Sequence, residues 1–375
     1  MEFTCILCGY RSSEPGVCPR CGLPLLYRVD FSKFHRSNLP GVWRYINELP
    51  KPSRLISLGE GFTRIRRING VVIKYEGNNP TGTYYDRGSA VLASVSNNGD
   101  VELTFEEDLT RSLALYLSMV GAKVTVSVDS NVDPRDLLIL AKLSTRVCVN
   151  CVKNPSVDYF DPLLIEGFKT ISYELIEQLN DLRAVTVPVE RGALALALVK
   201  GFMELEDKGI ISNMPKIIGV HVGPLKSPIG DQLRELGIKF MGVKPEDTIN
   251  AVVELAKHSV FARPISASAY VAAKEIHESV AVVSGSPKVK AGLSTKVGRI
   301  SRNQGLQDVI LTRVPKGVPL TAYGVWKTIG EGSLLGVYKA LDSLTSRGLA
   351  TVMVKVVGKK KVKYYVLSYG NHNST

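Results

Sequence analysis

The feature that most narrows the fold is an alternation of two kinds of segment between about residues 55 and 285. Strand-like runs such as VVIKYE, KVTVSV, AVTVPV and IIGVHV are separated by stretches with helical spacing, among them LTRSLALYLSMVG and LLIEGFKTISYELIEQL. Strands that alternate with helices, rather than with tight turns, call for parallel strands joined by helical crossovers. The body is therefore expected to be α/β. At 375 residues the chain has room for two or three domains with cores of their own. It contains no apolar run of about eighteen residues, and MEFTCILCGYRSS lacks the basic start and apolar centre of a signal peptide. The expected location is cytoplasmic.

Residues 1–30 are too few and too turn-rich to bury a core unaided. They carry two CxxCG knuckles, Cys5/Cys8 and Cys18/Cys21, nine residues apart. Each knuckle presents two thiolates from one turn, and together they make a closed tetrahedral site of the structural zinc type. The expectation is a zinc ribbon. A third pair, Cys148 and Cys151, lies in the strand-like RVCVNCV. Side chains three apart on a strand face opposite ways, so these two are expected to be buried bystanders.

Charge divides the chain unevenly. Residues 286–375 hold fifteen basic and three acidic side chains, a net of +12 that equals the net charge of the whole chain. Residues 286–302, with five basic residues and no acid, read as a basic linker. Residues 303–370 follow as three helix-like segments and two β-rich runs around the basic turn GKKKVK. That order is a winged helix. In its third helix, over 333–347, Leu334, Leu335, Val337, Leu341 and Leu344 supply the apolar side, and Ser333, Lys339, Ser343 and Arg347 the polar one. Lys359, Lys360 and Lys361 stand at the wing tip with Lys363 behind them. A cationic wing beside an amphipathic helix suits phosphate contact and makes duplex DNA the expected partner. A solvated lysine turn or a protein-binding wing is the plainer alternative. VYKALDSLTSRGLA followed by GKKKVKYYVLS resembles the recognition helix and wing of PadR-type regulators.

ISLGEGFT followed by KYEGNNPTGTYYDRG, with GVWRY before and VPV, KGF and IIGVHV after, resembles threonine synthases and related fold-type II pyridoxal phosphate enzymes. The resemblance covers most of residues 1–290. It implies that family's α/β fold over residues 31–285, between the zinc ribbon and the winged helix-turn-helix. It also implies a cofactor held by a lysine within a segment like SFKDRG, where this chain has Tyr85, and a phenol forms no imine. The family's substrate-carboxylate loop corresponds to Phe105-Glu106-Glu107-Asp108, whose three acids repel an anion or serve a helix N-terminus. Its glycine-rich phosphate turn corresponds to Glu190-Arg191-Gly192-Ala193-Leu194, and its ring-polarising stretch to Ser284-Gly285-Ser286-Pro287-Lys288. Four altered pieces imply that pyridoxal phosphate is not retained and that the chain is not an enzyme. The expected role is a DNA-binding transcriptional regulator, its body serving for homodimerisation or for sensing a small effector. A lyase of the threonine synthase type and an interaction scaffold are the rival readings. Asn79, Thr81, Thr83, Tyr85, Arg191 and Gly192 are the residues of a candidate ligand pocket; packing of the strand-to-helix turn is the alternative reason for the 79–87 loop.

Overall fold

The computed structural model describes all residues except 1, 29–33, 97–98, 130–131, 144, 287–301, 331, 358–359 and 369–375; at 134, 302–305, 308, 357 and 360–361 it describes the backbone alone. The chain forms two compact units, Met1–Leu293 and Ser294–Thr375. Nearly all of the expected 286–302 linker lies outside the described residues. No described helix is long and apolar enough to cross a membrane.

The first unit opens with a small antiparallel sheet in which β1 (Phe3–Thr4) lies between β2 (Arg11–Ser12) and β3 (Leu26–Tyr27). β4 (Ile65–Ile68) and β5 (Val71–Tyr75) then form a hairpin, and α1 (Tyr85–Val95) follows. Next come β6 (Asp100–Thr104), α2 (Glu107–Met119), β7 (Lys123–Val128), α3 (Pro134–Lys142) and β8 (Arg146–Val149). Their strands make a separate parallel layer in the order β6-β7-β8. The rest of the unit is α4 (Pro162–Gln178), β9 (Ala184–Pro188), α5 (Ala193–Asp207), β10 (Lys216–Val222), α6 (Gly230–Glu235), β11 (Lys239–Val243), α7 (Pro245–Lys257), α8 (Pro264–Glu275) and β12 (Ser279–Val283). The main sheet runs β11-β10-β9-β12-β5-β4, parallel except for β4.

The central strands β9 and β12 are buried at every residue, as strands covered on both faces must be. α4 is started by Asp161, whose carboxylate accepts from the N–H groups of Leu163 (2.8 Å) and Leu164 (3.3 Å), with Pro162 in the first turn. α4 packs on α1 at a point without side chains. A Cβ on Gly167 would lie 2.3 Å from the Arg87 carbonyl oxygen, and one on Gly88 would lie 2.6 Å from the Phe168 ring. The two glycines let the helix backbones meet.

This close contact seats a buried charge network. The Arg87 guanidinium binds Glu76 through Nε (2.7 Å) and Nη2 (2.8 Å), and Glu174 through Nη1 (2.5 Å) and Nη2 (2.8 Å). Lys74 Nζ reaches the same Glu174 at 2.5 Å and donates to the Thr63 carbonyl at 2.9 Å. Lys74, Glu76, Arg87 and Glu174 are all fully buried. Burial opposes ionisation of Glu174, but Arg87 and Lys74 hold its carboxyl down at about 2.

The second unit has α9 (Arg302–Arg313), α10 (Ala322–Ile329), α11 (Leu334–Ser346) and the antiparallel hairpin of β13 (Ala350–Val357) and β14 (Lys360–Leu367). Leu320, just before α10, bridges Tyr365 on β14. Ile310, Val325, Ile329, Val337, Leu341, Leu344, Tyr365 and Leu367 form its core. The expected apolar side of the third helix is corrected at its start. Leu334 and Leu335 are 37% and 66% exposed, and Ala340 takes the core position instead. The buried set Val337, Ala340, Leu341 and Leu344 follows the three- and four-residue spacing of one helix face, which leaves Leu335 on the opposite side.

Breaking a buried ion network by neutralising one member leaves an uncompensated charge, at a cost of about 3–5 kcal/mol. Glu174→Gln is expected to lower the stability of the full chain by that amount in chemical denaturation. An unchanged midpoint would show that the network does not hold the unit together.

Candidate functional site

The loops at the carboxyl ends of β5, β9 and β12 meet the N-termini of α1, α2 and α5 around a cavity of about 80 Å³. In parallel α/β sheets this edge is where ligands bind. Thr83, Tyr84 and Tyr85 line one wall, Asp108 and Arg263 another, and Tyr159, Arg191 and Gly192 the mouth. Ser266 and Ser284, their hydroxyls 2.9 Å apart, complete it.

Tyr85 is half-buried and its ring packs against Tyr84 (4.2 Å between centroids), Phe168 (5.7 Å) and Tyr159 (6.0 Å). Burial, reinforced by Tyr84 and Tyr159, pushes its phenol well above the ordinary value, so it is a neutral hydrogen-bonding group. Thr83 is 1% exposed, and its buried hydroxyl has no hydrogen-bond partner among the described residues. Such an orphan is satisfied by water or by a ligand in the cavity.

The three acids at the start of α2 do not cap it with their side chains. They bind arginines instead. Glu106 pairs with Arg191 (3.0 Å), which also lies over the Tyr159 ring at 4.8 Å. Glu107 and Asp108 pair with Arg263 at 2.5 and 2.9 Å. Burial raises the Asp108 carboxyl even against the pull of Arg263 and Arg111. Arg263 is raised by its bonds to Glu107 and Asp108. The wall thus carries compensated charge rather than a bare anion site.

Of the residues expected at the pocket, Thr83, Tyr85, Arg191 and Gly192 line the cavity, and Asn79 and Thr81 do not. Asn79 accepts from the Gly61 N–H (2.9 Å) and donates to Glu76 (2.7 Å). Thr81 gives both its N–H and its hydroxyl to Asp86, each at 2.6 Å. Burial pushes the Asp86 carboxyl up to about 7 despite these bonds and one from Ser112. These residues shape the loop. Gly192 has a φ of 107°, and a Cβ there would lie 2.8 Å from Ser227 Oγ. Arg263, Tyr159 and Ser266 were not anticipated, since each reaches the cavity through tertiary packing from a segment without a motif.

Among the described residues, no lysine lines the cavity. The buried lysines of this unit are committed elsewhere: Lys74 to the Arg87 network, and Lys169 and Lys200 to Glu166 and Glu204. The described residues of the lining do not fit pyridoxal phosphate attached through a lysine at this cavity.

The four N-terminal cysteines converge. Their sulfurs all lie within 4.8 Å of one another, with Cys5–Cys21 at 3.4 Å, Cys8–Cys18 at 3.5 Å and Cys8–Cys21 at 4.0 Å. Both knuckles use the same backbone bonds: Gly9 N–H to Cys5 O and Gly22 N–H to Cys18 O, each 2.9 Å. The cluster could hold a metal ion. The expectation for Cys148 and Cys151 is overturned. Asn150, at φ 48°, turns the chain out of β8, so the two side chains meet, with Cys148 half-buried and Cys151 exposed.

In the second unit Lys339, Arg347 and Lys363 are exposed and Ser343 is half-buried. Ser333 caps α11 by accepting from the Gly336 N–H at 3.1 Å, and Arg347 donates to Gln307 at 2.8 Å. Lys359 lies outside the described residues, as do the side chains of Lys360 and Lys361.

A family model described as pyridoxal-phosphate dependent enzyme matches residues 56–285. A threonine synthase of Methanocaldococcus jannaschii is 30% identical over 67% of this chain and 72% of its own length. One of Methanosarcina acetivorans is 26% identical over 58% and 63%. In fold, the chain is similar to threonine deaminase isoform 2 of Solanum lycopersicum, with a TM-score of 0.53 and 16% identity over 72% of this chain and 97% of that one. Serine racemase of Dictyostelium discoideum gives 0.51 and 16%, over 60% and 92%. These matches correct the expectation that the chain is not an enzyme, a pseudoenzyme beside the family. That expectation rested on local substitutions such as Tyr85, which bear on how a cofactor is attached and not on membership. Its family is one of enzymes built around pyridoxal phosphate: the chain belongs to the pyridoxal-phosphate dependent enzymes.

Proposed function

We propose that this member of the pyridoxal-phosphate dependent enzyme family acts as a DNA-binding regulator. In this reading the second unit is a winged helix on duplex DNA, and the α/β unit supplies a homodimer contact or a pocket for a small effector. The observation that carries it is the placement of charge. All of the chain's net +12 lies in residues 286–375. There α11 buries one face and exposes Lys339 and Arg347, and the hairpin behind it exposes Lys355 and Lys363. A helix with one face in the core, Lys339 on its outer face and Arg347 at its end, followed by a basic hairpin, supports a reading as a duplex-DNA reader. Two such units in a dimer would read paired half-sites.

Fluorescence anisotropy with labelled duplex DNA at low salt is expected to show binding that weakens steeply as salt rises. Lys339→Glu combined with Lys363→Glu is expected to weaken it at least tenfold with the fold intact. Binding that ignores both salt and these charges would overturn the proposal.

A second reading keeps the class of the relatives, a lyase of the threonine synthase type, and is favoured by their identity across the body. The two separate on one measurement. Pyridoxal phosphate followed by borohydride is expected to leave no stoichiometric adduct on a lysine of the α/β unit. One mapped lysine adduct per chain would favour the enzyme reading.

We also propose that the four-cysteine cluster holds structural zinc. Zinc–sulfur bonds of about 2.3 Å in a tetrahedron put the sulfurs about 3.8 Å apart, within the observed spread of 3.4–4.0 Å for the bonded pairs. Purified protein is expected to carry one zinc per chain by elemental analysis. Cys8→Ser or a strong chelator should release it and lower the melting temperature. Full stability without metal would count against the site.

A further inference from the structure

Cys148 and Cys151 are nucleophilic side chains that neither the cavity nor the metal cluster uses. β8 ends at Val149, and Asn150 takes the left-handed conformation at φ 48°. The turn brings the two Cα atoms to 5.9 Å, with the sulfurs paired; disulfides span about 4.4–6.8 Å. The backbone supports this placement independently of the sulfurs. The Asn150 N–H donates to the Val128 carbonyl at 3.1 Å, and the Cys151 N–H to Ser127 Oγ at 3.0 Å. The neighbouring strand β7 therefore holds the turn whether or not a bond joins the cysteines. Cys151 is exposed, so a thiol or disulfide from solution reaches it, and Cys148 is half-buried behind it.

The pair sits at the start of a segment with a destination. Residues 152–161 lead from this turn to Asp161, the cap of α4, and carry Tyr159 to the cavity mouth. Along it Val157, Tyr159 and Phe160 pack against the core. The Ser156 N–H donates to the Glu102 carbonyl at 2.7 Å, and the Tyr159 hydroxyl donates to Glu106 at 2.8 Å.

We propose that Cys148 and Cys151 are a reversible thiol–disulfide exchange site for a low-molecular-weight disulfide. On oxidation the exposed Cys151 thiolate attacks one sulfur of the partner disulfide, forming a mixed disulfide and expelling one thiolate. The Cys148 thiolate then attacks Cys151 Sγ, closing the protein disulfide and expelling the second thiolate. The cysteine pair loses two electrons and two protons, and the partner leaves as two thiols. A dithiol reverses the sequence. The proposal is independent of DNA binding and of any reaction at the cavity.

The test uses the full chain with zinc supplied, equilibrated in mixtures of reduced and oxidised glutathione, acid-quenched, alkylated and peptide-mapped by mass spectrometry. The peptide holding Cys148 and Cys151 is expected to lose both alkyl groups in one transition as the buffer becomes oxidising, and to regain them in dithiothreitol. Cys5, Cys8, Cys18 and Cys21 should not follow that transition. Cys148→Ser is expected to trap one glutathione on Cys151. Alkylation of both cysteines at every ratio, or no trapped glutathione in the variant, would overturn the exchange site.

Discussion

The α/β unit depends on a guanidinium placed where water does not reach. Arg87 ties α1 to α4 through Glu174 and to the end of β5 through Glu76, and Lys74 on β5 closes the circuit at Glu174. Two cations and two carboxylates leave no net charge, so their mutual attraction offsets desolvation that amounts to several kcal/mol per ion. The network lies beneath the loop that builds the cavity wall. Glu76 orients Asn79, and Asp86, next to Arg87, takes both polar groups of Thr81. The shape of the wall at Thr83 to Tyr85 therefore follows from the charges under it. Gly88 and Gly167 belong to the same construction, because the network closes only if the helix backbones touch.

Much of this was legible in the residues. The alternation of apolar runs and helical stretches specifies a parallel α/β body, and KYEGNNPTGTYYDRG marks the strand, loop and helix that form the wall. Two knuckles of the same CxxCG pattern announce a converging cysteine cluster, since each carries its own turn chemistry in a few adjacent residues. What could not be read came from contacts between distant segments. Arg263 finds Glu107 and Asp108 across more than 150 positions, and no local pattern marks such a partner. The opposite error arose at Cys148 and Cys151, where strand periodicity was extended one residue past the point at which Asn150 ends it. At Leu334 and Leu335 apolar character suggested burial, but helix phase gave those positions to the outside.

Tyr85 shows how differently a substitution is weighed by chemistry and by descent. Chemically it places a phenol, which forms no imine, in the cavity wall, and Tyr84, Tyr159 and Phe168 pack around its ring. By descent the match over residues 56–285 places the chain among enzymes regardless of that position. Both statements hold because the fold is set by the buried network and the covered strands, and attachment of a cofactor by a single side chain.

The short helix α6 is in contact with both the cysteine knuckles and the cavity rim. Gln232 on it donates to the carbonyl of Cys21 at 2.9 Å, and Leu233 lies beside Gly192. Just before it, Ser227 donates to the carbonyl of Arg191 at 2.6 Å. The ribbon is thus a lever as well as a cap. From the second knuckle to Gly192, the neighbour of the residue stacked on Tyr159, the path is one hydrogen bond to Gln232 and one contact of the buried Leu233 beside it. The rim of the cavity is, in that sense, suspended from the cysteine knuckles.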